Sequence, residues 1–163
     1  MWEDIGLMGL NIVLLEPEIP QNTGNIARTC VVTNTRLHII GPTGFSMEEK
    51  AVKRAGLDYW ELLDLRYYNN YLEFINYNKN IELYCATTKA KRIYSDAKFK
   101  QGTYIMFGKE TRGIPKDILQ ANKEKQIRIP MLNCQQARSL NLANSVAIVT
   151  YEVLRQWGYL NLI

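Results

Sequence analysis

The 163-residue sequence contains only three cysteines and one histidine, which limits the chemistry available to it. Cys30, Cys85 and Cys134 are widely separated and odd in number, so neither a disulfide framework nor a zinc site is indicated. We expect them to be reduced and mostly buried. His38 lies in an apolar stretch, where a buried strand histidine with hydrogen-bond partners is favoured over a catalytic one. We therefore expect neither a cysteine–histidine nucleophile nor a metal.

The sequence also lacks long apolar runs, internal repeats and a signal-like N-terminus. No stretch approaches the roughly 18 consecutive apolar residues that a membrane helix needs. We expect a cytoplasmic protein with no membrane partner. The chain is long enough for one substantial core and too short for two ordinary domains, so a single domain is predicted.

The surplus of positive charge is small but concentrated. Lysine and arginine total 20 against 16 acids, a net charge of +4. One short segment holds a surplus of four by itself, with a single anion, Asp96, among five cations: Lys89, Lys91, Arg92, Lys98 and Lys100. Such a segment either meets RNA phosphates or is simply a solvated loop, and the sequence leaves both readings open.

Alternating strand and helix patterns predict an α/β protein, a mostly parallel sheet with helices on both faces. Strands are predicted at 10–15, 36–40, 81–86, 103–107 and 126–129. Helices are predicted at 22–32, from a capping box at 46–49 to Gly56, at 67–77, and from Leu140 to about Trp157.

The last predicted helix carries an unusually broad apolar stripe. Its members are Leu142, Val146, Val149, Val153 and Trp157, with Ala143, Ala147 and Leu154 beside them. A stripe this wide fits either a core helix or a helix that also contributes to a subunit interface. The sequence alone does not separate the two.

Ligands of doubly wound sheets bind at the carboxyl ends of the strands, which directs attention to two loops there. In the first, 17–28, the amides and Arg28 are read as site groups that face outward from a helix start. The alternative is that Asn22 and Thr23 only cap the helix and Arg28 lies on a solvated face. The second, 108–115, has the glycine spacing of a phosphate-binding loop but continues with Ile114-Pro115 instead of Lys and Ser or Thr. This disfavours nucleoside triphosphate hydrolysis, and its glycines are expected to let the backbone approach a ligand.

A third segment joins Ile127–Met131 to the start of the last helix. Ser139 is predicted to be the N-cap of that helix. Asn141 and Asn144 stand in an otherwise apolar first turn, so they are expected to be buried amides with assigned hydrogen-bond partners.

Taken together, the three segments resemble the motifs of the SPOUT methyltransferases. The resemblance rests on Asn-x-Gly-Asn-Ile-x-Arg at 22–28, Gly-x-Glu-x-x-Gly at 108–113 after the strand Tyr-Ile-Met-Phe, and Ile-Arg-Ile-Pro at 127–130 followed by Ser-Leu-Asn-Leu at 139–142. Residues 15–28 and 54–59 are most similar to the bacterial tRNA 2′-O-methyltransferases of the wobble cytidine or uridine. The similarity spans about Leu10 to Tyr159, leaving 1–9 as an N-terminal extension of the domain at 10–163.

The resemblance implies a C-terminal deep trefoil knot, a homodimer, and S-adenosylmethionine (AdoMet) as methyl donor without a metal. A knot is something generic fold rules would not predict. Carried over by motif, the cofactor contacts fall at Ala86, Gly108, Ile129, Met131, Ser139 and Leu140.

The resemblance also implies catalytic or positioning roles for Arg28, Asn22, Glu110, Ser139 and Asn141. Because a guanidinium stays protonated at neutral pH, we expect Arg28 to stabilise the ribose oxyanion and bind phosphate instead of acting as a general base. The expected partner is tRNA and not DNA, with Lys89, Lys91 and Arg92 as candidate RNA contacts. A ribosomal RNA or another tRNA position, or a non-catalytic RNA-binding dimer, are the alternatives.

Overall fold

The computed structural model describes residues 9–47, 60–134, 136–137 and 139–163. The short helix predicted from the capping box at 46–49 to Gly56 lies, apart from its first two residues, outside the described residues. So do residues 54–59, which contributed to the family resemblance, and residues 1–8 of the expected N-terminal extension.

Within the described residues, six parallel strands form one sheet. They are β1 (Asn11–Leu15), β2 (Arg36–Ile40), β3 (Leu65–Tyr68), β4 (Leu83–Ala86), β5 (Tyr104–Phe107) and β6 (Gln126–Ile127). Their order across the sheet is β3-β2-β1-β5-β4-β6, and every pair is parallel. The chain winds outward from β1 to β3 and then crosses to the other half of the sheet. Because every pair is parallel, the carboxyl ends of all six strands lie at one edge.

Helices cover both faces of this sheet, as predicted. They are α1 (Pro20–Val32), α2 (Tyr71–Tyr77), α3 (Lys116–Ala121) and α4 (Leu142–Gln156). One core joins α1 and α4 to one face of the sheet, and the second core contains Phe74 of α2 and Ile118 of α3 on the other face. Within the described residues, no helix is both long and apolar enough to span a bilayer.

The alternation of side chains along each strand feeds these two cores. In β1, Ile12 and Leu14 belong to the α1/α4 core, whereas Val13 and Leu15 belong to the other. All five β1 residues are buried. A strand buried on both faces is read from sequence as a continuous apolar run, which is why β1 and β2 were predicted within one residue of their limits.

The helix predicted over 67–77 is wrong in its first part. Tyr67 and Tyr68 end β3, which pairs with β2, and α2 begins only at Tyr71. Asn70 caps α2 by accepting a hydrogen bond from the backbone N–H of Glu73 at 2.9 Å. The Asn69-Asn70 pair is therefore a break between a strand and a helix, and tyrosine, a good strand former, follows the sheet.

His38 is a satisfied strand histidine, as predicted. One ring nitrogen lies 3.0 Å from the Tyr68 hydroxyl and the other 3.1 Å from the Asn11 side-chain oxygen. Burial lowers the pKa of His38 to about 3, so the ring is neutral at physiological pH. Cys30 and Cys85 are buried, Cys134 is half-buried and all three are free, as expected.

Candidate active site

A cavity of about 640 Å³ opens at the carboxyl edge of the sheet. Its walls come from the segments that follow β4, β5 and β6 and from the start of α4. Ile19, just before α1, and Asn22, in the first turn of α1, also line it. Apolar floor residues such as Phe107, Ile114 and Val149 accompany the polar loops. The volume falls within the range of small-molecule sites, and its position is the one expected for a doubly wound sheet.

Glu110 ties the loop after β5 to the start of α1. Its carboxylate accepts hydrogen bonds from the backbone N–H groups of Glu18 and Ile19, at 2.9 and 3.1 Å, and from the Asn22 side-chain amide at 3.2 Å. The N-cap residue of α1 is Ile19, which has no side-chain acceptor. Glu110, from the loop after β5, therefore supplies the negative charge that a helix N-terminus favours.

Asn22 connects Glu110 to the start of α4. Its amide nitrogen donates to Glu110, so its oxygen is left to accept a hydrogen bond from the Asn141 amide at 3.0 Å. The Asn141 oxygen in turn accepts from the backbone N–H groups of Ala143 and Asn144. This Glu110–Asn22–Asn141 chain fixes the orientation of both amides and links three wall segments of the cavity.

Two further carboxylates strengthen the contact between the same loops. Glu18 accepts hydrogen bonds from the backbone N–H and the hydroxyl of Thr111, at 3.0 and 2.9 Å, and Glu16 pairs with Lys109. The hydrogen bonds from Thr111 lower the pKa of Glu18, with smaller effects from Lys109 and Arg112. Glu16, Glu18 and Thr111 were not singled out from sequence, since only the fold shows that 16–18 faces 109–111.

Gly108 is required for a reason beyond the predicted approach of a ligand. A Cβ at Gly108 would lie 2.2 Å from the carbonyl carbon of Gly113 and 2.3 Å from the nitrogen of Ile114. The loop thus folds back onto its own first residue, and Gly113 closes it with a positive φ of 68°. Gly108 permits close approach of protein backbone, not only of a ligand.

The start of α4 corrects two predictions. Asn141, not Ser139, is the N-cap, because its side chain accepts from the first helical N–H groups. Asn141 and Asn144 are both exposed in the single chain, so their predicted burial is wrong, although Asn141 has the assigned partners that were expected. The N-cap reading of Asn22 and Thr23 is also wrong, since α1 begins at Pro20 and both residues lie inside it.

The predicted cofactor contacts all line this one cavity: Ala86, Gly108, Ile129, Met131, Ser139 and Leu140. Asn22, Glu110 and Asn141 line it as well. Arg28 does not. It lies on the exposed side of α1, six residues beyond Asn22, which corresponds to about 9 Å along a helix axis.

The basic segment does not form one surface. Lys89 lines the cavity, and Arg92 adjoins Arg128 through a 2.9 Å backbone hydrogen bond. The later part runs back along the sheet, where the backbone at 97–99 bonds to Gln156 near the end of α4. Lys100 acts electrostatically on Glu82 at the start of β4, so Lys98 and Lys100 lie towards the opposite edge of the sheet from the cavity.

The cavity fits AdoMet by its size and by the chemistry of its walls. Apolar floor residues suit a purine, and loop backbone and amide side chains offer hydrogen bonds to the ribose and the amino-acid tail. Among the described residues no group of three or more histidine, cysteine or acidic side chains is placed to hold a metal ion.

Known proteins match this chain along most of its length. Residues 9–151 match the model of the SpoU rRNA Methylase family. The tRNA (cytidine(34)-2′-O)-methyltransferase of Escherichia coli strain K12 is 48% identical over 151 residues, covering 92% of this chain and 95% of the relative. The protein of the same name from Aeromonas hydrophila is 46% identical over 151 residues, covering 92% and 96%.

Solved structures agree with the fold. One, from a study of the 2-OH methylation of C/U34 on tRNA, is 37% identical to this chain with a TM-score of 0.87. The match covers 93% of this chain and 98% of that structure's chain. The SpoU methyltransferase AviRb from Streptomyces viridochromogenes, in complex with AdoMet, is 21% identical with a TM-score of 0.83, covering 93% and 62%, and supports the fold alone. The resemblance inferred from the three motifs is confirmed, and the chain belongs to the SpoU rRNA methylase family.

Proposed function

We propose that this protein transfers a methyl group from AdoMet to the ribose 2′-hydroxyl of the wobble nucleotide, a cytidine or uridine derivative, in the tRNA anticodon loop. The observation that carries the proposal is identity of 46 to 48% over more than nine tenths of both chains to enzymes named for methylation of cytidine 34. The three motif segments also meet at one cavity. The reaction takes place in the cytoplasm, where tRNA is modified.

Backbone and small side chains of three loops would hold the methyl donor, at Ala86, Gly108, Ile129, Met131, Ser139 and Leu140. When bound there, AdoMet supplies an electrophilic methyl group on a sulfonium. The chain itself must align the ribose with that methyl group and stabilise the charge that develops on its oxygen.

Glu110, Asn22 and Asn141 act mainly by positioning. In both side-chain amides, those of Asn22 and Asn141, the nitrogen and the oxygen already make hydrogen bonds within the protein. Glu110 accepts three hydrogen bonds, so its carboxylate oxygens are already committed to donors within the protein. These residues hold the start of α1, the loop after β5 and the start of α4 in register. Ser139, free of a capping role, is available to contact the ribose or the donor.

Arg28 stabilises the substrate anion in this proposal. A guanidinium offers five donors in a fixed plane and matches phosphate and oxyanion geometry, but it does not accept a proton at neutral pH. Arg28 shares α1 with Asn22, so the Glu110 cap that fixes the helix start also fixes the direction of the helix that carries it.

In a homodimer, Arg28 of one subunit would lie near the cavity of the other subunit. Gln21, Asn25, Arg28 and Val32 are exposed at helical spacing along α1, and Asn144, Tyr151 and Arg155 are exposed along α4. Val32 and Tyr151 are 49% and 48% exposed, large apolar areas on two helices that pack against each other. We infer that these faces meet a second copy and bring Arg28 of one subunit to the RNA site of the other.

A trefoil knot is supported by the position of β6. On one side β6 pairs with β4, and on the other Arg128, which follows it, pairs with Ile93. Both partners belong to the continuous stretch 83–107, which leaves the sheet at β4 and re-enters it at β5. A strand held between two parts of one loop is what a chain threaded through that loop requires.

Lys89, Lys91 and Arg92 are the proposed RNA contacts. All three are exposed, and they follow β4 at the carboxyl edge of the sheet. Cations in this place would meet the phosphates of an anticodon stem-loop.

The test is to incubate the protein with tritiated AdoMet and either total tRNA or ribosomal RNA from a strain that lacks the gene, and then to map the methylated nucleotide. We expect a 2′-O-methyl group at nucleotide 34 of a subset of tRNAs. Label confined to ribosomal RNA or to another tRNA position would refute the wobble assignment. Intact AdoMet binding without any transfer would favour the non-catalytic dimer.

A further inference from the structure

Four cations line the described walls of the cavity: Lys89, Lys109, Arg112 and Arg128. Two of them are balanced within the protein. Lys109 pairs with Glu16, and Arg112 lies in the field of Glu18, whose pKa it helps to lower. Glu110 is the one lining carboxylate in the described walls, and its oxygens are occupied by three N–H donors.

Lys89 and Arg128 are different. Within the part of the chain that the structure describes, neither side chain has an ion pair or a hydrogen bond, and both are exposed. The segments that carry them adjoin, because Thr87 donates a backbone hydrogen bond to the carbonyl of Ile127 at 2.9 Å, and both side chains line the same cavity. Ile127 is fully buried, and its neighbour Arg128 is exposed at the mouth of the cavity.

This arrangement conflicts with the charge of the donor. AdoMet carries a net positive charge at neutral pH, because its sulfonium and ammonium groups outweigh one carboxylate, whereas the demethylated product S-adenosylhomocysteine has no net charge. The four cations outnumber the carboxylates of Glu16, Glu18 and Glu110 by one, and this positive surplus at the mouth repels AdoMet more than the product. The cavity by itself therefore favours product over methyl donor.

We propose that Lys89 and Arg128 form a phosphate site, the rim pair, and that an RNA phosphate seated on it completes the charge balance of the cavity. RNA then raises the affinity for AdoMet, and by linkage AdoMet raises the affinity for RNA. The inference builds on the proposed function, since it takes RNA as the anion. It also divides the basic segment, because Lys98 and Lys100 lie too far from the cavity to take part.

The experiment measures dissociation constants for AdoMet and for S-adenosylhomocysteine by calorimetry on the wild type, on the Lys89→Gln/Arg128→Gln double variant and on Lys98→Gln. Without RNA, the double variant should bind AdoMet about 3- to 10-fold more tightly than the wild type, with little change for the product. Lys98→Gln removes the same kind of charge from the same segment and should match the wild type. Weaker AdoMet binding by the double variant would overturn the proposal, because it would mean that the rim pair binds the donor's carboxylate.

A second experiment measures the same two dissociation constants for the wild type at different salt concentrations and needs no variant. Raising potassium chloride from about 50 to about 500 mM should narrow the wild-type preference for product, because screening shortens the reach of the rim charges. An unchanged preference would contradict the repulsion.

The RNA arm uses tRNA already 2′-O-methylated at nucleotide 34, which cannot react. It should tighten AdoMet binding to the wild type and to Lys98→Gln, and should have much less effect on the double variant. Equal tightening in all three proteins would overturn the phosphate site. If the two RNA-free arms hold and only a ribosomal RNA fragment gives the coupling, the phosphate site stands and the tRNA assignment fails.

Discussion

Three carboxylates that join the β1–α1 connection to the loop after β5, Glu16, Glu18 and Glu110, show how a residue's role depends on partners far away in sequence. Glu110 reaches Asn22 and the N–H groups before it across some 90 residues of chain, and Glu18 returns the contact through Thr111. The motif resemblance pointed to Glu110 and passed over Glu16 and Glu18. A carboxylate in a polar loop has no periodicity that would reveal its partner.

The buried histidine makes stability depend on pH. Since the folded-state pKa of His38 is lowered to about 3 from an unfolded value of about 6.5, protonation favours unfolding, and stability is lost as the pH falls through that window. We expect unfolding free energy to decrease by about 2 kcal/mol between pH 7 and pH 5. Urea titrations at both pH values would measure it. His38→Gln should flatten this dependence, and an unchanged slope would assign it to other groups.

Arg28 is predicted to need its guanidinium. Arg28→Lys keeps the charge but loses the planar array of donors, so we expect turnover to fall about 10- to 100-fold with the AdoMet dissociation constant unchanged. Single-turnover assays on tRNA, with calorimetry for AdoMet, separate the two quantities. Arg66→Lys, on the exposed edge strand β3, is the matched control. Near-full turnover by Arg28→Lys would rule out a special role for the guanidinium.

At the scale of elements, the helix ends hold the cavity together. The N-cap residue of α1, Ile19, has no side-chain acceptor, so Glu110 accepts the hydrogen bond from its backbone N–H. In contrast, α4 is capped by its own residue Asn141, which also bonds to Asn22. Each helix that carries site residues thus begins at the cavity wall. Disturbing one helix start moves the residues of another element.

The corrected N-cap leads to a comparison of two neighbouring substitutions. Asn141→Ala should cost about 1 kcal/mol of stability, or roughly 2 to 4 °C in melting temperature, because it removes the cap of α4. Ser139→Ala should cost less than about 0.5 kcal/mol, since Ser139 caps nothing. Differential scanning calorimetry compares them directly. Equal losses would mean that Ser139 shares the capping role.

At the scale of the whole molecule, α1 and α4 have an inner and an outer face. Ile26, Cys30, Val146 and Val153 fill the core, so the outer faces with Val32 and Tyr151 are left for another partner. The broad stripe of α4 was read from sequence as either core or interface. The buried positions now account for most of it, and Tyr151 lies outside it.

We expect Val32→Asp/Tyr151→Asp to convert a dimer into a monomer, because two charges would be buried at the contact. Light scattering coupled to size-exclusion chromatography gives the mass. Leu72→Asp is the control, since Leu72 is exposed on α2, which covers the other face of the sheet. A double variant that stays dimeric would place the interface elsewhere.

The sequence by itself determined the α/β class, the limits of β1 and β2, the role of His38 and the family. These follow from local patterns, because a strand buried on both faces is a continuous apolar run and the motifs are short and contiguous. It placed the start of α2 wrongly, because no local pattern reported that Tyr67 and Tyr68 pair with β2.

Only the tertiary structure decided which side chains meet. It joined Glu110 to Asn22 and Asn141, gave Gly108 its crowded neighbours, and separated Lys89 from Lys98 although they are nine residues apart in one basic segment. Hydrogen bonds and steric contacts act only between groups that lie within a few ångströms of each other. Separation along the chain does not report those distances once strands far apart in sequence lie side by side.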